Sequence, residues 1–259
     1  MQTTPASRAK ARGPLSPGLL LLLIPLLLPA CTPVVIDEAD LWQPLFNGKD
    51  LTGWNVACVS ADRDKTFWQV RDGMIVCDSM NLGKHDYVWL ISDAEYGDFE
   101  LKMKVRSWAD SPGNSGVQVR SRYDEAAGWL NGPQVDIHPP GPWRSGFIYD
   151  ETRGVQVWLW PNVGKPANAK LEHAPAGWNW QHADQGDGWN DVYIRCDGTR
   201  ITTRINGVNV ADLDGAGILD DDKHKAHNVG MTGHIALQLH RGDKLRIAYK
   251  DIYLRLILH

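Results

Sequence analysis

Beyond residue 44, apolar and polar residues alternate with a period of two in short runs, and no stretch holds a 3.6-residue apolar period for three turns. Successive side chains of an extended chain point to opposite faces, so such runs predict strands with one buried and one solvated side. Strands are expected over 66–70, 74–77, 88–92, 99–105, 116–120, 134–138, 191–196, 200–205, 234–239 and 245–254. Asp72-Gly73, Asp197-Gly198 and Asn206-Gly207 supply residues that tolerate the positive φ of tight hairpin turns. Antiparallel strands joined in this way must close as a barrel or stack as two sheets to hide their apolar faces, and a sandwich fits this length best. Between Pro139 and Trp189 the pattern loosens into Pro-, Gly- and Trp-rich sequence, which predicts long loops over one face.

The first residues read differently. Arg8, Lys10 and Arg12 precede an apolar run from Leu19 to Leu28, broken by Pro25, as in a secretory signal. A membrane helix needs about 20 apolar residues, so this run is too short to span comfortably. Leu28-Pro29-Ala30-Cys31 resembles the lipobox of bacterial lipoproteins. The expectation is a signal peptide over 1–30, diacylation of Cys31, a tether over 31–44 and a single domain over 45–259. An ordinary cleaved signal with a coincidental cysteine is the plainer alternative. Thr32, with no Asp after the cysteine, suits an exported protein lipid-anchored in the bacterial cell envelope, at the outer membrane facing the periplasm or the surface.

A net charge of −4, with no Lys/Arg cluster outside the signal, argues against nucleic acid as a partner. Export permits disulfides, and Cys58 and Cys77 flank an expected hairpin across which they can pair if their Cα atoms fall within about 7 Å. Cys196 shares a strand face with Val192 and Ile194 and reads as a small buried residue. No Cys/His spacing resembles a zinc site, Asp220-Asp221-Asp222 reads as a solvated turn, and neither metal nor cofactor is expected.

Two features bear on chemistry. Twelve tryptophans stand against four phenylalanines, and Trp143, Trp158, Trp160, Trp178 and Trp180 fall in the loop-rich segment. Indole stacks on the C–H face of a sugar ring, though each such residue can equally be a packing residue. If Val135 and Ile137 face the core, Gln134, Asp136 and His138 form an outward row; Gln238 with His240, and Gln118 with Arg120 after Asn114-Ser115-Gly116, repeat the pattern. The ordinary solvated side of an antiparallel sheet looks the same.

Leu45-Phe46-Asn47-Gly48-Lys49-Asp50-Leu51-Thr52-Gly53-Trp54 resembles the opening signature of the 3-keto-disaccharide hydrolase family. Further similar segments follow in the family's order: Tyr96 to Leu101, Asn114-Ser115-Gly116 with Arg120, Gly132 to Ile137, Trp189-Asn190, Asn206-Gly207 and Gly233 to His240. The resemblance implies a concanavalin-like jelly-roll β-sandwich of two antiparallel sheets, with long loops over a concave, sugar-binding face. The chain departs from the family in one place: where the family carries Glu and then Gln two residues later, this chain has Gln134 and Asp136. The acid keeps its face but moves about 7 Å along the strand.

A ketone at C3 of a sugar acidifies the C2 hydrogen and places the glycosidic oxygen on C1 to leave by β-elimination, which requires a base, a stabiliser of the enolate and an acid. For this chemistry Asp136 or His240 is the expected base or acid and Arg120 the expected enolate stabiliser. Gln134, His138, Gln238, Asn114, Trp158, Trp160 and Trp178 are the expected substrate-binding residues, and an oligosaccharide or glycoside the expected partner. Hydrolysis through two carboxylates is the other enzymatic route; Glu151, Asp150 and Asp187 are the possible second acids. A non-catalytic glycan-binding surface lipoprotein, or a structural envelope protein, would share the same fold.

Overall fold

The computed structural model describes residues 1–2 and 41–259, apart from 112, 140, 162, 167 and 169–173. Cys31 and the expected signal and tether up to residue 40 lie outside the described residues. The first strands are β1 (Gln43–Pro44), β2 (Trp54–Cys58), β3 (Trp68–Arg71), β4 (Met74–Asp78), β5 (Val88–Tyr96) and β6 (Phe99–Ser107). Next come β7 (Ser115–Asp124), β8 (Trp129–Asn131), β9 (Pro133–Ile137), β10 (Ile148–Asp150), β11 (Val157–Trp160) and β12 (Lys165–Pro166). The chain continues through β13 (Asn190–Asp197), β14 (Arg200–Ile205), β15 (Val208–Asp214), a short helix α1 (Asp222–His227), β16 (Gly233–Leu239) and β17 (Arg246–Leu256).

These strands form two antiparallel sheets. One runs β15-β14-β13-β6-β17-β4-β3, with β1 on β17; the other, which carries the site, runs β12-β11-β10-β9-β7-β16-β5-β2, with β8 beside β7. The hairpin signals hold: Asp72-Gly73 joins β3 to β4 and Asn206-Gly207 joins β14 to β15, all four residues at positive φ. Leu101, Val105, Val192, Ile194 and Ile247 of the first sheet share one buried cluster with Val117, Val135, Ile137, Ile235, Leu237 and Leu90 of the second. Full burial of each such side chain contributes roughly 1.5–3 kcal/mol. Cys196 is buried among them, as expected.

Two expectations change. The segment 139–189 is not loop alone, because β10, β11 and β12 add three strands to the site sheet beyond β9. Too short for alternation to register, they are fixed by pairing, as in Ile148 opposite Val135 and Tyr149 opposite Gln134. The expected disulfide is absent: Cys58 ends β2 in the site sheet, Cys77 lies in β4 of the other, and both are free and buried. Residues 54–58 form a strand of the site sheet, which carries Cys58 away from the β3–β4 hairpin that holds Cys77. Thiol titration in denaturant without reductant should give one equivalent each for Cys58, Cys77 and Cys196; a value of one in total would mean that the pair is bonded after all.

Candidate functional site

Committing Val135 and Ile137 of β9 to the core sends Gln134 and Asp136 to the opposite face, and Leu237 and Leu239 of β16 do the same for Gln238. Gly116 of β7 stands opposite Asp136. A Cβ there would collide with the Gln134 side chain, so the glycine in Asn114-Ser115-Gly116 makes room for that amide.

These side chains border a cavity of about 570 Å³. Asn114, Gln134, Asp136, His138 and His240 line it as the sequence suggests, joined by Tyr87, Arg144, Glu151 and Asp243. Two edge-to-face aromatic pairs form walls: Tyr87 with Trp129, centroids 4.9 Å apart, and Tyr149 with Trp158, 5.1 Å apart. Behind Tyr87 and Trp129 lies a second apolar cluster of Trp89, Ile91, Leu130 and Ala236 on the outer face of the site sheet. Oε1 of Gln134 and Oδ1 of Asn114 are buried without a hydrogen-bond partner among the described residues. Each buried unmet polar group costs about 1–3 kcal/mol, so this lining suits a hydroxyl-rich ligand.

The charges are arranged in two groups. Asp136 accepts a 2.7 Å hydrogen bond from Nε of Arg144, whose guanidinium also lies 5.3 Å from the centre of the Trp158 ring. The backbone of the β9–β10 connection folds back to bring this about: Gly146 N donates to Asp136 O, and Asp136 N to Phe147 O. Across the cavity, His240 Nε2 lies 3.0 Å from the Tyr87 hydroxyl and Nδ1 lies 3.3 Å from Asp243 Oδ2. Asp243 Oδ2 also accepts from Asn114 N at 2.7 Å. Burial alone would lower the His240 pKa, but the hydrogen bond and charge of Asp243, with Glu151 and Asp136, outweigh it and hold the ring above its ordinary value. Burial is the main cause of the low His138 pKa, against the pull of Asp136.

Glu151 is the group that the alternation could not single out. It follows β10, is buried, and has its carboxyl pushed up to about 7 by desolvation, against the opposing effect of Gln238 and the charge of His240. A carboxyl near neutrality can both take and give a proton at working pH. Of the other possible second acids, Asp150 is fully buried against His224, and Asp187 does not line the cavity.

Four expected site residues do not line the cavity: Gln238 is fully buried beside the Glu151 carboxyl, and three stand elsewhere. Arg120 takes φ +49° where β7 slips register against β16, and this bulge turns its side chain away from the row begun by Gln118. Its guanidinium is fully buried and donates to the carbonyls of Gly97, Gly198 and Gly230 and to Asp98 Oδ1. It ties three turns together and does not reach the cavity. Trp160 donates to Val210 O and Trp178 to Ser145 O, so both are packing residues, whereas Trp158 lines the cavity.

A family model described as a 3-keto-alpha-glucoside-1,2-lyase-like domain matches residues 41–255, and the chain belongs to that family. No curated protein matches the sequence. Among solved structures, a "putative glycosyl hydrolase" from Parabacteroides distasonis ATCC 8503 is 19% identical, with 86% of this chain and 99% of that one covered at a TM-score of 0.55. A Bacillus subtilis protein of unknown function with a galectin-like fold is 12% identical, covering 83% and 94% at 0.54. The exoplasmic/lumenal domain of VIP36, in a form bound to Ca2+ and Man3GlcNAc, is 9% identical, covering 83% and 87% at 0.51. At these identities the likeness shows the fold, a two-sheet galectin- and concanavalin-like sandwich.

Removing the buried Arg120 charge by Arg120→Met should lower stability by about 3 kcal/mol or more, because Asp98 and three carbonyls lose their donor. Denaturant unfolding checks this; an unchanged midpoint would show that the guanidinium does not hold these turns.

Proposed function

We propose that this member of the 3-keto-alpha-glucoside-1,2-lyase-like family cleaves 3-keto-glycosides by β-elimination followed by hydration, in the cavity between the Tyr87–Trp129 and Tyr149–Trp158 walls. The observation that carries the reading is Glu151: a buried carboxyl held near neutrality in one cavity with Asp136–Arg144 and His240–Asp243.

The Glu151 carboxylate takes the C2 hydrogen, and the C2–H electrons form the enolate of the C3 ketone. Arg144, partnered by Asp136, stabilises the negative charge on the C3 oxygen, the role expected of Arg120 from the sequence. The enolate collapses, C3=O re-forms, a C1=C2 double bond forms and the C1–O bond breaks. The leaving oxygen takes the proton now on Glu151. Water then adds across C1=C2, so that the net result is hydrolysis. Tyr87, whose phenol is pushed upward chiefly by burial and so stays protonated, is a hydrogen-bond donor beside His240. Gln134 and Asn114 orient hydroxyls, and Trp158 and Trp129 stack on the ring faces. The lipobox-like Leu28-Pro29-Ala30-Cys31 supports a further reading, a lipid on Cys31 that tethers the domain to a membrane; mass spectrometry of the membrane-extracted protein tests it, since Cys31→Ser should abolish the acyl mass.

The purified protein incubated with a 3-keto-disaccharide and with its unoxidised parent should release sugar from the keto form alone. Binding of both without release would replace the enzymatic reading with glycan binding. The carboxylate is the active form, so kcat/KM should fall as pH drops through about 7. Glu151→Gln should lower kcat by about 10²–10⁴-fold and remove that limb. A full rate in Glu151→Gln would exclude Glu151 as the base.

A further inference from the structure

Asp150 and Glu151 are consecutive, and their side chains serve different surroundings: Glu151 lines the cavity, and Asp150 meets α1. Asp150 Oδ2 lies 2.8 Å from His224 Nε2, and both side chains are fully buried. On its other side His224 Nδ1 lies 2.7 Å from Asp221 Oδ1, which also accepts the His224 backbone N–H at 2.9 Å as the N-cap of α1. Neither carboxylate can donate while ionised, so two such partners call for a proton on both ring nitrogens. A buried imidazolium between two carboxylates is therefore built into the back of the cavity wall.

The turn that bears Glu151 is held at several further points. Asp150 Oδ1 accepts from Thr152 N at 2.9 Å, and Arg153 N donates to Asn131 Oδ1 at 3.0 Å. Glu151 itself donates its N–H to Gly132 O at 3.0 Å and accepts from Trp129 Nε1 at 2.7 Å. The Asp221 that the sequence reads as part of a solvated acidic turn is thus the outer end of a chain of charge leading to the residue beside Glu151.

We propose that Asp150, His224 and Asp221 form a positioning device that pins the β10 end and so keeps the Glu151 carboxyl seated in its desolvated place in the cavity. The inference rests on the role given to Glu151 above, but concerns where that carboxyl sits. His224 touches no substrate and is a positioning residue. The groups that face it are Asp150 from β10 and Asp221 from the turn before α1; burial opposes its charge, and these two outweigh burial and raise its pKa. Asp221 is correspondingly lowered: burial works against this, and its backbone and side-chain bonds from His224 prevail.

The test is to titrate the Glu151 carboxyl by NMR in full-length protein labelled with 13C-glutamate, assigned with Glu151→Gln, in the wild type and in His224→Gln. In His224→Gln the turn loosens, water reaches the carboxyl, and its midpoint should move from about 7 toward the ordinary glutamate range. On a 3-keto-disaccharide, kcat should fall by about tenfold to a hundredfold with KM changed much less. A folded His224→Gln protein whose Glu151 titrates as in the wild type overturns the proposal. If that variant does not fold, Asp221→Asn, which keeps His224 and Asp150, should give a smaller shift in the same direction; a wild-type midpoint there overturns it equally. A wild-type protein that cleaves nothing defeats the reading of the previous subsection, while the titration still decides this one.

Discussion

An extended strand has only two faces, and the site follows from which of them the core claims. Val135 and Ile137 are fully buried between the sheets, so Gln134 and Asp136 have nowhere to go but the cavity. The same constraint on β16 sends Gln238 outward beneath His240, and on β7 it leaves Gly116, with no side chain, beside the Gln134 amide. A one-residue slip of β9 would place two polar side chains in the core and two aliphatic ones in the cavity. The hydrophobic core thereby sets the register of the polar lining.

Within that lining, desolvation divides the two carboxyls into different roles. Asp136 has a guanidinium at hydrogen-bond distance, 2.7 Å away. Glu151 has no such contact among the described ion pairs, and burial pushes it toward the neutral acid. A reaction that removes a proton from carbon and returns one to oxygen needs one group able to do both, with a fixed positive charge nearby; this pocket has both. The acid that moved two residues along β9 fits this division, because at position 136 it meets Arg144 from the β9–β10 turn.

Period-two alternation made the strands, the outward row on β9 and the three hairpin turns legible, because each rests on contacts within a few residues. The misreadings share a cause: they depend on geometry that alternation does not encode. Arg120 continues the polar pattern of Gln118 on paper, but one left-handed residue at a bulge redirects it into a buried knot of carbonyls. Trp160 and Trp178 lie in the right segment, yet their indole N–H groups are tied to Val210 and Ser145. Glu151, Arg144, Tyr87 and Asp243 sit at strand ends or in connections, where only the packing of distant segments brings them together. Asp150-Glu151 next to the short run Ile148–Asp150 was the available signal, and it could not be ranked above other acids without the pairing of β10 to β9.

The central claim is that the C2 hydrogen is removed, and its isotopic fate reports this directly. Cleavage of a 3-keto-disaccharide in D2O, followed by NMR of freshly released 3-keto-sugar against an enzyme-free control, should show solvent deuterium at C2 in step with cleavage. Release of product that retains its original hydrogen at C2 would mean that the glycosidic bond breaks without elimination, and would contradict the account.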